Sequence, residues 1–239
     1  DASLEIYDAD PFASCFIDNS MKLGKTLKAG GCKYDVISQS NIGPVIVGNS
    51  LAAIKKLIFE EKKITWKQLM DAIKDNWESA ESMYIRKLVL NVPKFGNDED
   101  EVDDLVKDVF NSYLELLPHY KTLRTGKGPE ISCYTMSTSN ITSYVPNGFD
   151  VGATPDGRLA GSPLNEGCSP TQSTDTHGPT AVINSVSKLP NDKVAAGQLL
   201  NMRFAPGALA GDENLDKFVE FLKASLLKGI YHNQFNVLS

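Results

Sequence analysis

The chain has 239 residues, enough for one large domain or two small ones, and its 41% hydrophobic and 23% charged residues are typical of a soluble globular protein. Its net charge of −6 argues against a nucleic-acid partner, because binding to a phosphate backbone requires clustered Lys and Arg. No apolar run approaches the roughly 20 residues of a membrane helix, and the first residues lack the basic start and apolar core of a signal peptide. We therefore expect a cytoplasmic protein without a membrane partner.

The first half of the chain has apolar residues at helical spacing. Thr65 is a candidate N-cap, and Asn49-Ser50 provides another before an expected helix that follows the short apolar run at 45–47. The expected helices are residues 12–27, 51–60, 65–76, 79–90 and 102–117.

An acidic stretch at 97–101, Asn-Asp-Glu-Asp-Glu, precedes the last of these helices. A calcium loop is one interpretation, but the stretch lacks the spacing and the distal Glu of such a loop. Acidic side chains at a helix N-terminus are the favoured interpretation.

The second half alternates strands and a helix. Strands are expected at 131–145, 181–186, 198–204 and 230–238, with an amphipathic helix at 215–227. A long segment rich in Gly, Pro, Asp and Ser, 146–179, has little periodicity and is typical of a functional loop. This order predicts an α/β architecture, barrel-like in form.

Residues 152–158, Gly-Ala-Thr-Pro-Asp-Gly-Arg, have the chemistry of a tight turn. Pro155 fixes φ, Asp156 can bond its own backbone, and Gly157 permits a positive φ. Arg158 would then project from a rigid turn, able to clamp carboxylates or loop carbonyls. A purely structural turn remains the alternative.

Motifs for metals and nucleotides are absent from the sequence. None of the four cysteines forms a Cys-x-x-Cys pair, and the three histidines are far apart. Leu23-Gly24-Lys25-Thr26 lacks the upstream Gly of a phosphate loop, where Asn19 stands instead. From the residue chemistry alone, the reaction is not readable.

Several collinear segments nevertheless resemble the pyruvate formate-lyase/glycyl radical family. The turn at 152–158 is followed by Ser169-Pro170, by Gly-Pro-Thr-Ala-Val at 178–182 and by Ser-Val-Ser-Lys-Leu at 185–189. Earlier segments also resemble the family, namely Gly-Gly-Cys-Lys-Tyr at 30–34, residues 49–57, and Pro-Lys-Phe-Gly-Asn-Asp at 93–98. Later segments that resemble it are Leu200-Asn201 and Gln-Phe-Asn-Val at 234–237.

The resemblance implies that residues 1–239 are part of a ten-stranded barrel built from two antiparallel half-barrels, with helices outside. The family's radical Cys, in a Gly-Cys-x-Glu context, and its radical Gly, in an Arg-Val-x-Gly-Tyr context, do not occur in the chain. We therefore expect a partial catalytic domain that lacks both radical loops and is inactive alone, with no catalytic residue of its own.

The resemblance also implies a substrate-binding wall. Asn-Ile-Thr-Ser at 140–143 is similar to the Thr-Ile-Thr-Ser of pyruvate formate-lyase. On a strand, alternation would place Asn140 and Thr142 toward the substrate and Ile141 toward the helices. Ordinary polar strand residues are the alternative.

The implied activity is that of a glycyl radical lyase, a dehydratase, decarboxylase or C–N lyase acting on a small polar metabolite in an anaerobe. No bound cofactor or metal is expected. The implied partners are a radical-SAM activating enzyme, which installs the glycyl radical, and a second copy in a homodimer. The alternatives are a formate C-acetyltransferase-like enzyme and a non-catalytic scaffold module.

Overall fold

The computed structural model describes residues 2–139 and 142–238, apart from the side chains of Ala2 and Leu4. The chain forms two compact units. The first contains Asp1–Gln39 and Tyr113–Met136, and the second contains Ser40–Ser112 and Ser137–Ser239. None of the helices in the described part of the chain has the length and apolar character needed to cross a membrane.

In its described residues, the first unit combines three short α-helices with a two-stranded sheet, in which β1 (Tyr34–Ser40) pairs with β2 (Ile131–Ser137). The expected helix at 12–27 is wrong as a continuous element. Asn19 (φ 80°) and Gly24 (φ 63°) adopt left-handed backbone conformations that a right-handed helix does not contain. The elements are α1 (Ala2–Tyr7), α2 (Pro11–Ser14), α3 (Ser20–Leu23), β1 (Tyr34–Ser40) and β2 (Ile131–Ser137).

A buried ion pair connects distant parts of the first unit. Arg124 donates from Nε to Asp35 Oδ2 at 2.7 Å, and both side chains are less than 10% exposed. Arg124 Nη1 also donates to Glu5 at 3.0 Å and to the Lys28 carbonyl at 2.9 Å, while the Ser132 hydroxyl donates to Asp35. Three of the five N–H donors of Arg124 have partners here, and Asp35 accepts from both Arg124 and Ser132, so each buried charge is hydrogen-bonded as well as paired, as burial of an ion pair requires.

The second unit contains the longer helices and a parallel pair of strands. The helices are α4 (Pro44–Ile54), α5 (Trp66–Lys74), α6 (Ala80–Leu90), α7 (Asp100–Leu116), α8 (Tyr144–Phe149), α9 (Pro179–Ser187) and α10 (Asp212–Leu227), and the strands are β3 (Leu199–Phe204) and β4 (His232–Val237). From Tyr113 onward, α7 belongs to the first unit.

The helices expected at 65–76 and 79–90 are confirmed as α5 and α6, and Thr65 is confirmed as an N-cap, whereas the cap expected at Asn49-Ser50 is wrong because both residues lie inside α4. Thr65 and Gln68 form a reciprocal capping box at the start of α5, and Ser79 caps α6 through the Ser82 N–H. By contrast, the expected start of a helix at 51 is wrong. Helix α4 begins at Pro44, a residue suited to the first helical position, and continues as a π-helical turn over Lys55–Glu60.

The strand predictions have mixed outcomes. The segments at 198–204 and 230–238 are confirmed as β3 and β4, which pair in parallel from Leu199↔His232 to Phe204↔Val237. The segment at 131–145 is a strand only to Ser137, because Tyr144 begins α8. The strand expected at 181–186 is wrong, since these residues lie in α9. Pro179 occupies the first position of this helix, and the apolar residues that follow it are buried.

Candidate functional site

A cavity with a volume of about 780 Å³ lies beside β3 and α10 in the second unit. Its wall also includes Tyr144, the first residue of α8, and part of the irregular segment that follows Leu164. Part of the cavity wall therefore comes from the segment at 146–179, which the sequence predicts to be functional.

A short segment with a special backbone places the polar side chains on this wall. Cys168 N donates to the Leu199 carbonyl at 2.8 Å, and Asn201 N donates to Ser169 Oγ at 2.8 Å, so the segment follows the edge of β3. Gly167 has φ 59°, and a Cβ there would lie 2.1 Å from the Leu199 oxygen. Only glycine fits this approach.

Three side chains from three parts of the unit form a hydrogen-bonded row at the cavity. Asn236 Nδ2 donates to Asn201 Oδ1 at 2.6 Å, and Asn201 Nδ2 donates to Glu166 Oε2 at 2.8 Å. The strand register pairs Arg203 with Asn236, so alternation places Asn201, Arg203 and Asn236 on one face of the β3–β4 pair.

The environment of Glu166 favours its protonated form more than water does. Burial raises the pKa of this carboxyl, while the hydrogen bond from Asn201 and the positive charge of Arg203 act in the opposite direction. Glu166 is half-buried and lines the cavity. It can accept a hydrogen bond from a ligand or hold a proton there.

The other wall of the cavity is aromatic. Phe218 and Phe221 of α10 line it together with Phe204 of β3. The Phe204 ring packs edge-on against Phe218 and Phe221, with centroid distances of 5.6 and 6.1 Å, while Phe218 and Phe221 stack on each other at 6.2 Å. The cavity thus combines one polar side with one apolar side, as small-molecule sites commonly do.

The turn at 152–158 is confirmed as an arginine clamp on loop carbonyls. Arg158 donates from Nη1 to the carbonyls of Leu159 and Ser162, and from Nη2 to those of Val151 and Gly152. Asp156 in turn accepts from the Arg158 backbone N–H at 3.3 Å and from the Thr154 hydroxyl. These contacts are all within the protein framework.

Asn97 connects the segments at 93–98 and 174–177. Its Oδ1 accepts from the N–H groups of Thr176, at 2.7 Å, and His177, at 3.1 Å, and its Nδ2 donates to the Thr174 carbonyl at 2.8 Å. The neighbouring Asp98 N–H donates to Ser185 Oγ at 2.9 Å. Two of the segments that carry the family resemblance are therefore joined in space.

The acidic stretch at 97–101 lies at the start of α7, as its composition predicts. Asp98, Asp100 and Asp103 place carboxylate oxygens within 4.8 Å of one another. Lys188 donates to all three, at 2.9, 2.6 and 2.7 Å. A lysine ammonium is thus already the cation of this cluster.

All four cysteines are free, and the fully buried Cys168 has a pKa raised to about 12 by burial. Its Sγ donates to the Leu199 carbonyl at 3.2 Å. Because the thiolate is the reactive form, Cys168 is an unreactive thiol at neutral pH.

The predicted substrate-binding residues fall at the edge of what the structure describes. Asn140 lies outside the described residues, as does Ile141. Thr142 is exposed and lies in a turn, so alternation along a strand no longer supports its orientation. Tyr144, two residues further on, lines the cavity. Binding of substrate by Asn140 and Thr142 stays a prediction.

Sequence reasoning missed Glu166 as a site residue. Asn201 and Asn236 already belonged to segments that resemble the family, but nothing local in the sequence connects them to a carboxylate 35 residues upstream of Asn201. The available signal was Gly167, since a glycine beside a charged residue in an irregular segment indicates a close backbone approach.

Comparisons with known proteins agree with this architecture. Residues 2–148 match the family Pyruvate formate lyase-like, and residues 164–239 match the family Glycine radical. A probable dehydratase of Escherichia coli (strain K12) is 40% identical over 242 residues, which cover 100% of this chain and 30% of that protein.

Two solved structures have the same fold over the whole chain. One describes 1,2-propanediol dehydration in Roseburia inulinivorans, with a TM-score of 0.90 and 35% identity over 100% of this chain and 30% of that chain. The other is the glycerol-bound, B12-independent glycerol dehydratase of Clostridium butyricum, with a TM-score of 0.88 and 35% identity over 100% of this chain and 29% of that chain.

The fold and the matches define the class of protein, a mixed α/β portion of a glycyl radical enzyme barrel. The chain belongs to the pyruvate formate lyase-like family. It spans about 30% of the length of the relatives named above.

Proposed function

We propose that the whole protein is a glycyl radical lyase that eliminates a small group from a polar metabolite, with dehydration as the leading reaction. The observation that carries the proposal is the cavity of about 780 Å³ with its polar and aromatic sides, built on a chain of this family. Dehydratases are prominent among the similar proteins, which favours dehydration over decarboxylation, C–N cleavage or a formate acetyltransferase-like reaction.

The residues of this chain would bind and orient the substrate. The Asn201–Glu166 pair offers hydrogen-bonding groups on one side, and the rings of Phe218 and Phe221 offer an apolar surface on the other. Asn140 and Thr142, which the family resemblance implies as substrate-binding residues, would add polar groups. The glycyl radical would supply hydrogen abstraction through a thiyl radical, and both radical residues lie outside this chain's sequence.

The remaining parts of the proposal concern partners and location. A radical-SAM activating enzyme would install the glycyl radical, no other cofactor would be bound, and the enzyme would be a cytoplasmic homodimer in an anaerobic cell. These expectations rest on the family to which the chain belongs.

Anaerobic activation tests the proposal. We expect the whole protein, incubated with its activating enzyme and S-adenosylmethionine, to develop the EPR doublet of a glycyl radical and then to convert a small hydroxylated metabolite. The 239-residue chain alone should develop no doublet, because it contains no Arg-Val-x-Gly-Tyr segment. A whole protein that stays EPR-silent with a competent activating enzyme would refute the lyase assignment.

A further inference from the structure

We propose that Glu166 is a ligand-binding carboxylate of the cavity, and that Asn236 and Asn201 form an amide relay that orients it toward a hydroxyl group of the ligand. This inference rests on the proposed function, because it assigns a role within the same cavity.

The first argument is the geometry of Glu166. Its side chain lines the cavity and is half-buried. Within the described residues it accepts one hydrogen bond, from Asn201 to Oε2 at 2.8 Å. A carboxylate has two oxygens and about four acceptor positions, so most of its accepting capacity is left for a ligand.

The second argument is that the relay fixes the orientation of the Asn201 amide. Asn236 donates to Asn201 Oδ1 at 2.6 Å, so only Nδ2 of Asn201 is left to face Glu166. The reversed amide would place two donors against each other at Asn236 and two acceptors against each other at Glu166. Both contacts therefore favour the same orientation.

The third argument is the rigidity of the support. Asn201 and Asn236 lie on the paired strands β3 and β4, and the Asn201 backbone is bonded to Ser169 Oγ at 2.8 Å. The backbone of Glu166 is constrained by its neighbour Gly167, packed against the Leu199 carbonyl. Binding groups held by regular elements keep a defined position at low entropic cost.

The charges and the opposite wall indicate the class of ligand. An ionised carboxylate accepts hydrogen bonds only, so its partner must be a donor. Arg203 adds a positive charge that acts on Glu166, which favours a neutral hydroxyl over an ammonium group. The aromatic wall of Phe218 and Phe221 suits a short carbon skeleton. The raised pKa of Glu166 is consistent with a carboxyl poised at a partly desolvated site.

The experiment uses the whole, activated protein with glycerol and 1,2-propanediol as probes. We expect Glu166→Gln to raise KM about tenfold with a small effect on kcat, because an amide oxygen is a weaker acceptor than a carboxylate. Glu166→Leu should raise KM about 100-fold. The exposed Glu115 provides the matched control, and Glu115→Gln should leave KM unchanged.

The relay is tested by a double-mutant cycle. Asn236→Asp removes the donor to Asn201 with little change in shape, and should raise KM about tenfold in the native background. In the Glu166→Gln background it should have a much smaller effect, because the relay acts through Glu166. Additive effects of the two substitutions would show that Asn236 has a purely structural role and would overturn the relay.

Two further measurements separate this inference from the proposed function. EPR should show the same glycyl radical yield in every variant, and calorimetry on the unactivated protein should show diol binding that Glu166→Leu abolishes. If EPR shows no radical while calorimetry shows diol binding that depends on Glu166, only the lyase assignment is contradicted. An unchanged KM in both Glu166 variants, or the absence of diol binding to the native protein, overturns the role of Glu166.

Discussion

Removing the ammonium of Lys188 should destabilise the second unit strongly. Lys188 donates to Asp98, Asp100 and Asp103, and the Asp103 side chain is fully buried at the start of α7. In Lys188→Met the methionine fills a similar volume without the charge. The buried Asp103 carboxylate then loses its only cationic partner among the described residues.

The magnitude follows from the burial of the partners. Breaking a buried ion pair by removing one partner costs about 3–5 kcal/mol. The low end of this range, about 3 kcal/mol, applies because the Lys188 side chain is 25% exposed and Asp98 and Asp100 are exposed. Each 1.4 kcal/mol is about a factor of ten, so local opening should become about 100-fold more frequent.

Hydrogen exchange read by mass spectrometry measures this opening. Peptides containing Asp103 or Lys188 should exchange about 100-fold faster in Lys188→Met. The exposed pair of Lys217 with Glu213 supplies the control, since Lys217→Met should change exchange less than about threefold. The second substitution Asp103→Asn in the Lys188→Met background should recover much of the loss, because it removes the unpaired charge.

The same pair predicts a pH dependence of defined sign. Burial raises the pKa of Asp103, and the hydrogen bond from Lys188 opposes that rise. Without Lys188 the pKa of Asp103 should rise further, so the cost of Lys188→Met should be largest at neutral pH and should shrink as the pH falls through that raised pKa. In the native protein, burial lowers the pKa of Lys188, but the hydrogen bonds to the three carboxylates outweigh burial, so the pKa is raised. The stability that Lys188 contributes is therefore fully present below the pKa of a free lysine and is lost as the pH rises through the raised pKa. An equal cost at acidic and neutral pH would refute this account.

Two further substitutions probe the segment that carries Glu166. Gly167→Ala should lower thermal stability, because its Cβ would lie 2.1 Å from the Leu199 oxygen at φ 59°, whereas Gly207→Ala, which meets nothing within 4 Å, should be close to neutral. Arg158→Lys should accelerate hydrogen exchange around the turn at least about tenfold, since an ammonium cannot reproduce the bonds that the guanidinium makes to four carbonyls. Exchange that is unchanged by Arg158→Lys would show that the clamp does not hold the loop.

Local chemistry was sufficient to predict the start of α5, although the similar cap expected at Asn49-Ser50 lies inside α4. Thr65 begins α5 with a capping box because its hydroxyl and the Gln68 side chain satisfy each other's backbone groups. Ser79 similarly precedes α6. The interactions that start these helices lie within four residues, so a sequence displays them in full.

Short apolar runs were the main source of error. The run at 181–186 is compatible with a buried strand or a buried helix, and periodicity cannot distinguish them when most residues are buried. Tertiary packing decides, and here α9 buries Val182 and Val186, which lie one helical turn apart. Similarly, the run at 45–47, expected to precede a helix, forms the first turn of α4.

The site was less predictable than the fold because its contacts are long-range. The family resemblance pointed to Asn140 and Thr142, which follow β2 in sequence. Asn201, by contrast, meets Asn236 and Glu166 across 35 residues in each direction, through strand pairing and the close approach at Gly167. Neither contact is encoded in a local pattern.

Two of the segments that carry the family resemblance, 93–98 and 152–158, share a physical task, which is to satisfy the backbone of a long irregular segment. Residues 150–178 lack helices and strands, so their N–H and C=O groups require other partners where they are buried. Arg158 binds four of these carbonyls, Asn97 binds three backbone groups, and Asn165 accepts from Ile46 N in the first turn of α4 while donating to the Gly167 carbonyl. Side chains with several donors or acceptors in fixed geometry perform this task best, which explains the use of one arginine and two asparagines here. The segment they hold is the one that presents Glu166 to the cavity, so the turn at 152–158 contributes to the site through position rather than through chemistry.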